Sequence, residues 1–253
     1  MAAQTDPGFV LKLTEYSETS QITWLLTRRF GVLRLLGKGL RRGTKTRVAV
    51  GLDLLELGDA TFIAAREAGS LGTLTEWVQR DSFIGLRAEM LTLYAGLYAA
   101  ELSIALTEPD DPHAELFDAF GALLRELSAM PAGAPPPPHA NRWPALVRFQ
   151  LDILQAAGFS PELDRCVDCS RAPATGSRIH FSARAGGLVC RDCEMHHPEK
   201  RGVPRVMLAE GVAKHPAAWF VLLDYYITHL ANRRMNSAPV LDTLAKKPDR
   251  PAI

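Results

Sequence analysis

Cys166-Val-Asp-Cys169 and Cys190-Arg-Asp-Cys193 contain all four cysteines of the chain, and twenty residues separate the two pairs. One Cys-x-x-Cys pair can chelate an ion from a tight knuckle. Two such pairs supply the closed tetrahedral thiolate shell that zinc takes in structural sites. The intervening stretches Ile179-His-Phe-Ser182 and Gly186-Gly-Leu-Val189 pair apolar residues around a Gly-Gly turn, as a zinc ribbon requires, with the metal substituting for a core too small to form alone. A redox Cys-x-x-Cys and free core cysteines are the weaker alternatives, because a redox pair usually stands alone beside a βαβ unit. His196 and His197 follow the second pair closely but are surplus to four thiolates and read as surface residues. A closed shell leaves no open position for metal chemistry.

The second chemical feature is electrostatic. Arg28, Arg29, Arg34, Lys38, Arg41, Arg42, Lys45 and Arg47 lie in one stretch that contains no Asp or Glu. On a small barrel such a run lines a strand pair and its loop, suited to holding nucleic-acid phosphates. Trp24 and Phe30 are nearby base-stacking candidates, although both are expected in the barrel core. Gly39-Leu-Arg-Arg-Gly43-Thr-Lys45-Thr46 has the wrong spacing for a P-loop, so ATP binding is not expected there. The chain shows no nucleophile elbow, no His-Glu-x-x-His helix and no dinucleotide-binding glycine fingerprint. No catalytic residue is expected, and the chain reads as a non-enzyme.

These residues need a scaffold. Phe9–Thr14, Gln21–Thr27, Phe30–Gly37, Val48–Leu57 and Phe62–Arg66 read as five short strands, with Gly58–Asp59 a break between the last two. Five strands suit a small closed barrel. From Ser82 the apolar period becomes helical, through Leu86, Met90, Leu93, Leu97 and Ile104, and ends before Pro109. A second helix carries Leu116, Phe120, Leu123, Leu124 and Leu127. The proline-rich stretch 131–138 is a stiff spacer. Helix resumes after Asn141, with Gly158 as its C-terminal cap, and again over Ala217–Arg233. The fold expected is therefore α+β, a five-stranded barrel over residues 1–80 followed by an α-helical domain over 81–245. A four-cysteine knuckle is inserted in that domain at about 164–200, and 246–253 form a frayed tail.

The net charge of +1 resolves by counting into +3 over residues 1–80, −6 over 81–160 and +4 over 161–253, so a polyanion would meet the two ends first. The first ten residues do not resemble a secretory leader, and no apolar run approaches the length that crosses a bilayer, so a cytoplasmic protein without membrane contact is expected.

In order along the chain, Tyr16-Ser-Glu-Thr-Ser-Gln-Ile22, Leu26-Thr-Arg-Arg-Phe-Gly31, Gly37-Lys-Gly-Leu-Arg-Arg42, Tyr98-Ala-Ala-Glu-Leu102, Glu108-Pro109, Leu116-Phe117, Arg148-Phe149 and Gly158-Phe-Ser-Pro-Glu-Leu163 precede the first cysteine pair. Phe181-Ser182 and Gly186-Gly187 then lie between the two pairs. This series resembles the RecO family of bacterial recombination mediators over about residues 8–240. The resemblance implies an N-terminal OB-fold that binds single- and double-stranded DNA, strand annealing without nucleotide consumption, and cooperation with RecR to load RecA onto DNA coated by single-strand-binding protein. It also implies contact with that coating protein's acidic C-terminal tail through the helical domain, and a bacterial, nucleoid-associated location. Members differ in whether they keep all four cysteines, so one structural Zn2+ per chain is expected from Cys166, Cys169, Cys190 and Cys193 themselves. Because the middle of the chain is acidic, a tail-binding pocket needs a local basic spot, for which Arg142 and Arg148 are candidates.

Two other classes share some of these features. A zinc-ribbon RNA-binding or transcription-associated module would be separated by competition between single-stranded DNA and RNA. A divalent-cation nuclease needs carboxylates beside the basic run, and residues 28–47 contain none.

Overall fold

The computed structural model describes residues 2–18, 20–38, 52–65, 67, 70–129, 142–172 and 179–246. The chain forms two compact units, residues 1–132 and 133–253.

In the first unit, β1 (Gln4–Glu15), β2 (Ser20–Thr27), β3 (Gly31–Lys38), β4 (Leu57–Ile63) and β5 (Gly72–Asp81) close into a barrel in the order β1-β2-β3-β5-β4. Neighbours are antiparallel except β3 and β5, which run parallel. This is the expected five-stranded OB-type barrel. Alternation along each strand sends Val10, Leu25, Leu33, Leu35, Ala60, Phe62 and Leu74 into the interior, where they pack as one core cluster.

Three of the expected strands coincide with β1, β2 and β3, but the last two are displaced. Residues 52–56 of the expected Val48–Leu57 strand are irregular, and 48–51 lie outside the described residues. β4 instead begins at Leu57 and runs through Gly58–Asp59, where the sequence suggests a break. A Cβ on Gly58 would sit 2.5 Å from the Trp77 ring, so this glycine makes room for a neighbouring indole within a strand. The expected Phe62–Arg66 strand is only the end of β4. The true fifth strand, β5, escapes a hydrophobicity reading because only Gly72 and Leu74 in it are buried.

A 3-10 turn (Ile84–Ala88) leads into α1 (Met90–Leu106) and then α2 (Ala114–Ser128). Phe9, on the outside of β1, meets the rings of Phe83, Phe117 and Phe120 at centroid distances of 6.2, 4.8 and 5.1 Å. That aromatic cluster joins α2 to the barrel, so the expected boundary near residue 80 falls inside the first compact unit.

The second unit contains α3 (Trp143–Ala156), β6 (Ile179–Ser182), β7 (Gly187–Cys190), β8 (Arg201–Val203), α4 (Arg205–Glu210), α5 (Pro216–Leu230) and α6 (Ala238–Ala245). Trp143 of α3 packs on Phe220 of α5 at 5.1 Å. β6 and β7 form the expected hairpin, with Ser182 opposite Gly187, and its turn ends at Gly186, whose φ of +73° suits glycine. β8 adds a third strand beside β6. Phe181 of β6 stands edge-on to Tyr226 of α5 at 5.5 Å, which anchors the ribbon to the helices of its own unit. Among the described residues no helix is long and apolar enough to cross a membrane.

Candidate metal centre and nucleic-acid interface

Each Cys-x-x-Cys folds as a turn because short backbone bonds leave it no alternative. In the first, the Ser170 N–H donates to the Cys166 carbonyl at 2.8 Å and the Cys166 N–H to the Arg171 carbonyl at 3.0 Å, with Ser170 at φ +58° completing the reversal. In the second, the Cys193 N–H donates to the Cys190 carbonyl at 3.2 Å. The hairpin carries Cys190 at the end of β7, where its N–H points at Cys166 Sγ, 3.4 Å away. The Val167 N–H bonds the Leu188 carbonyl at 2.9 Å, which fixes one knuckle to the strand that delivers the other.

All four sulfurs consequently lie within 4.8 Å of one another and could hold a metal ion. Cys169 Sγ and Cys190 Sγ are 3.8 Å apart. A tetrahedron with metal–sulfur bonds of about 2.3 Å has edges of about 3.8 Å, so this spacing fits a zinc thiolate shell. Hydrogen bonds from the Arg171 backbone and guanidinium lower the Cys169 thiol to about 6. Burial, reinforced by the neighbouring sulfurs, pushes Cys193 up to about 12. Four thiols this close do not ionise together unless a cation offsets their charge.

The histidines divide. His196 is exposed, as expected, but His197 is 9% exposed, and its Nε2 lies 3.1 and 3.0 Å from the two Asp168 carboxylate oxygens. Asp168 sits inside the first knuckle and His197 follows the second, so the contact clamps one knuckle to the other. The hydrogen bond to His197 is the main cause of the lowered Asp168 pKa. Spacing alone gives no sign of this pairing, which joins residues 29 apart.

On the barrel, the expected cations occupy different environments. Arg28 and Arg29 form the turn between β2 and β3. Arg28 pairs with the exposed carboxylate of Asp118 and lies 5.9 Å from the Phe117 ring. Arg29 is tied to Asp6, which is 2% exposed: Nε donates at 2.6 Å and the backbone N–H at 2.8 Å. Arg34 lies mid-way along β3, and Lys38 is exposed at its far end. Arg41, Arg42, Lys45 and Arg47 lie outside the described residues. The run is thus divided between the two ends and the middle of one strand.

Phe30 meets the expectation of a core position, edge-on to Phe62 at 5.4 Å. Trp24 does not. The buried positions of β2 are Gln21, Thr23, Leu25 and Thr27, with Leu26 covered as well, and Trp24 faces outward, half-buried. Its strand neighbours are Lys12 on β1 and Arg34 on β3. Lys12 Nζ lies 5.7 Å and the Arg34 guanidinium 4.8 Å from the ring centroid. Lys12 belongs to no dense charge run, and the apolar residues Ile22 and Trp24 imitate a buried face, which is why this row is invisible in the sequence.

The candidates for the acidic-tail pocket also separate. Arg142 is 6% exposed at the start of α3, and Arg148 is exposed on that helix.

Comparison with known proteins adds a family. The model of the recombination protein O N-terminal domain matches residues 1–83, and that of the C-terminal domain matches residues 87–209. A DNA repair protein RecO of Rhodopirellula baltica is 37% identical over 187 residues, covering 74% of this chain and 65% of its own length. That of Anaeromyxobacter dehalogenans is 34% identical over 205 residues, covering 81% of this chain and 74% of its own. The Bacillus subtilis protein is 32% identical over 189 residues, covering 74% and 67%.

Proposed function

The chain belongs to the RecO family, and from that premise we propose that it is a DNA repair and recombination mediator that binds single- and double-stranded DNA and anneals complementary strands. With RecR it would help load RecA onto DNA coated by single-strand-binding protein, working in the cytoplasm at the nucleoid and consuming no nucleotide. The observation that carries this reading is the closed barrel whose third strand ends at exposed Lys38, which the basic residues 41–47 follow in the sequence. Annealing asks that cations neutralise two phosphate backbones while bases remain free to pair, and Lys and Arg contacts without base readout accomplish that.

We assign phosphate contacts to Arg34, Lys38, Arg41, Arg42, Lys45 and Arg47. Arg28 joins them by exchanging its exposed partner, whereas Arg29 is held by a buried carboxylate and contributes mainly to the barrel. Cys166, Cys169, Cys190 and Cys193 hold one structural Zn2+, supported by the spacing of their sulfurs. The test is a strand-annealing assay with complementary oligonucleotides, without ATP, in the presence and absence of single-strand-binding protein. Acceleration in both conditions is expected. No acceleration on bare strands at low salt would overturn the reading, and preference for RNA competitor would favour an RNA-binding module instead.

A further inference from the structure

We infer that Lys12, Trp24 and Arg34 form a stacking site for one unpaired nucleobase on the outer face of the β1–β2–β3 sheet. The inference deepens the DNA-binding reading and rests on it. Directly opposed residues in antiparallel strands share a face. The register therefore puts Lys12, Trp24 and Arg34 in one row across three strands, and Thr14, Ile22 and Leu36 in the next. Ser20 and Lys38 follow beside the hairpin end that carries Tyr16, itself 63% exposed. These positions include three cations, one indole and no Asp or Glu.

The two lysines of this face differ from the arginines elsewhere in the first unit. Arg28, Arg29, Arg80 and Arg87 pair with Asp118, Asp6, Asp59 and Asp53. Among the described residues, Lys12 and Lys38 meet no carboxylate. Lys12 instead lies over Trp24, joined there by Arg34. Lys12 is exposed, and a cation over an indole at an exposed position is held more weakly than a base stacked on an aromatic ring. A single strand can therefore exchange the two: its phosphates draw Lys12 off the ring and a base takes its place beside Arg34. The two outer strands of the row are about 10 Å apart, within reach of long side chains on either side of one nucleotide. A duplex presents no free base face, so only its phosphates can use this surface. The row would thus discriminate single strands from duplex, which the basic run by phosphate contacts alone cannot do.

A purely structural Trp24 would cover the sheet and nothing more, and the experiment separates the two roles. Affinities of the full chain for oligo(dT) and for a blunt duplex are measured for wild type, Trp24→Leu and Trp24→Phe, with quenching of tryptophan fluorescence on oligo(dT) binding as a second readout. Trp24→Leu should weaken oligo(dT) binding about tenfold and leave duplex binding within about twofold, while Trp24→Phe keeps most of the single-strand affinity. Quenching in the wild type should fall in Trp24→Phe, which retains Trp77, Trp143 and Trp219. Equal losses on both DNAs, or unchanged oligo(dT) affinity, would overturn the stacking site. If Trp24→Leu does not fold, Trp24→Phe decides, and undiminished quenching overturns the site. A wild type that binds neither DNA overturns the DNA-binding reading itself, an outcome distinct from a wild type that binds while Trp24→Leu binds equally well.

Discussion

The cysteine ribbon and the outer barrel face are both built on short antiparallel strands, yet they arrange their polar groups in opposite ways. In the ribbon the four sulfurs converge on one point, Asp168 reaches His197, and the Ser182 hydroxyl reaches Glu199 at 2.5 Å. Every residue of β6 and β7 is buried. On the barrel face, Lys12 and Lys38 are exposed and meet no carboxylate among the described residues, and an indole stands between Lys12 and Arg34. A region that saturates its polar groups internally holds the chain together, and a region that leaves them outward is arranged to meet something else.

The largest effect expected from breaking this contrast is at the ribbon. Cys190→Ser should abolish stoichiometric zinc, measured by elemental analysis of protein purified under reducing conditions, and should unfold the ribbon, since structural zinc contributes roughly 10–16 kcal/mol of apparent binding energy in small domains. Oligo(dT) affinity should change by no more than about threefold if the binding work belongs to the barrel. Full zinc occupancy in the variant, or a ribbon unaffected by chelation, would remove the metal from the account.

Next in size is the effect at the proposed phosphate contacts of the basic stretch. Arg41→Glu combined with Arg42→Glu should weaken single-strand and duplex binding together, by at least about tenfold near 0.1 M salt. The slope of log affinity against log salt should become shallower by about 0.7 for each phosphate of the single strand that the protein no longer neutralises. An unchanged slope would place the phosphate contacts elsewhere.

How far this contrast is legible in the amino-acid sequence follows from how local each feature is. The clustering of the four cysteines, the hairpin between them and the cap at Gly158 are readable because their chemistry is confined to a few adjacent residues, and Gly158 does take φ +77°. β5 is not readable, because a strand with a mostly polar surface has no hydrophobic signature. Trp24 is misread for the opposite reason: β2 buries Gln21 and Thr23 and turns an indole outward, so polarity and burial are inverted along it. The Asp168–His197 clamp depends on two knuckles meeting, which no local pattern encodes. Arg29 shows the same limit among the cations, since its sequence neighbours suggest phosphate and its partner, buried Asp6, lies 23 residues away.

Arg29 also supplies a smaller and more discriminating test. Arg29→Ala leaves the Asp6 carboxylate buried with, among the described residues, the backbone N–H of residue 29 as its remaining donor. The expected cost is about 1–3 kcal/mol, seen as a lowered thermal midpoint. Affinity for DNA per folded molecule should stay within about twofold. A large loss of affinity without a change in midpoint would move Arg29 from the scaffold to the binding surface.

The smallest predicted effect lies just before β4, where a polar group is closed off as those of the ribbon are. Glu56 is 5% exposed and accepts hydrogen bonds from Gln79 Nε2 at 2.5 Å and the Asp53 N–H at 3.2 Å. Burial raises its pKa, and the hydrogen bond from Asp53 and the charge of Arg87 only partly counter this. The sign follows directly: a carboxyl whose folded pKa lies above its unfolded value favours the folded barrel when protonated, so that contribution fades as pH rises through the raised pKa. Glu56→Gln keeps the shape and an acceptor for Gln79 but cannot ionise, and it turns an amide toward the Asp53 N–H. The variant should therefore lose some stability at every pH from the mismatched donor, while the part of the wild-type pH dependence that arises from Glu56, in the range just above the ordinary glutamate pKa, disappears. Thermal unfolding followed by tryptophan fluorescence over that range, at fixed zinc, measures both parts. Parallel stability curves for wild type and variant would mean that Glu56 titrates as if exposed, and its site beside Gln79 would then be less closed to water than the ribbon.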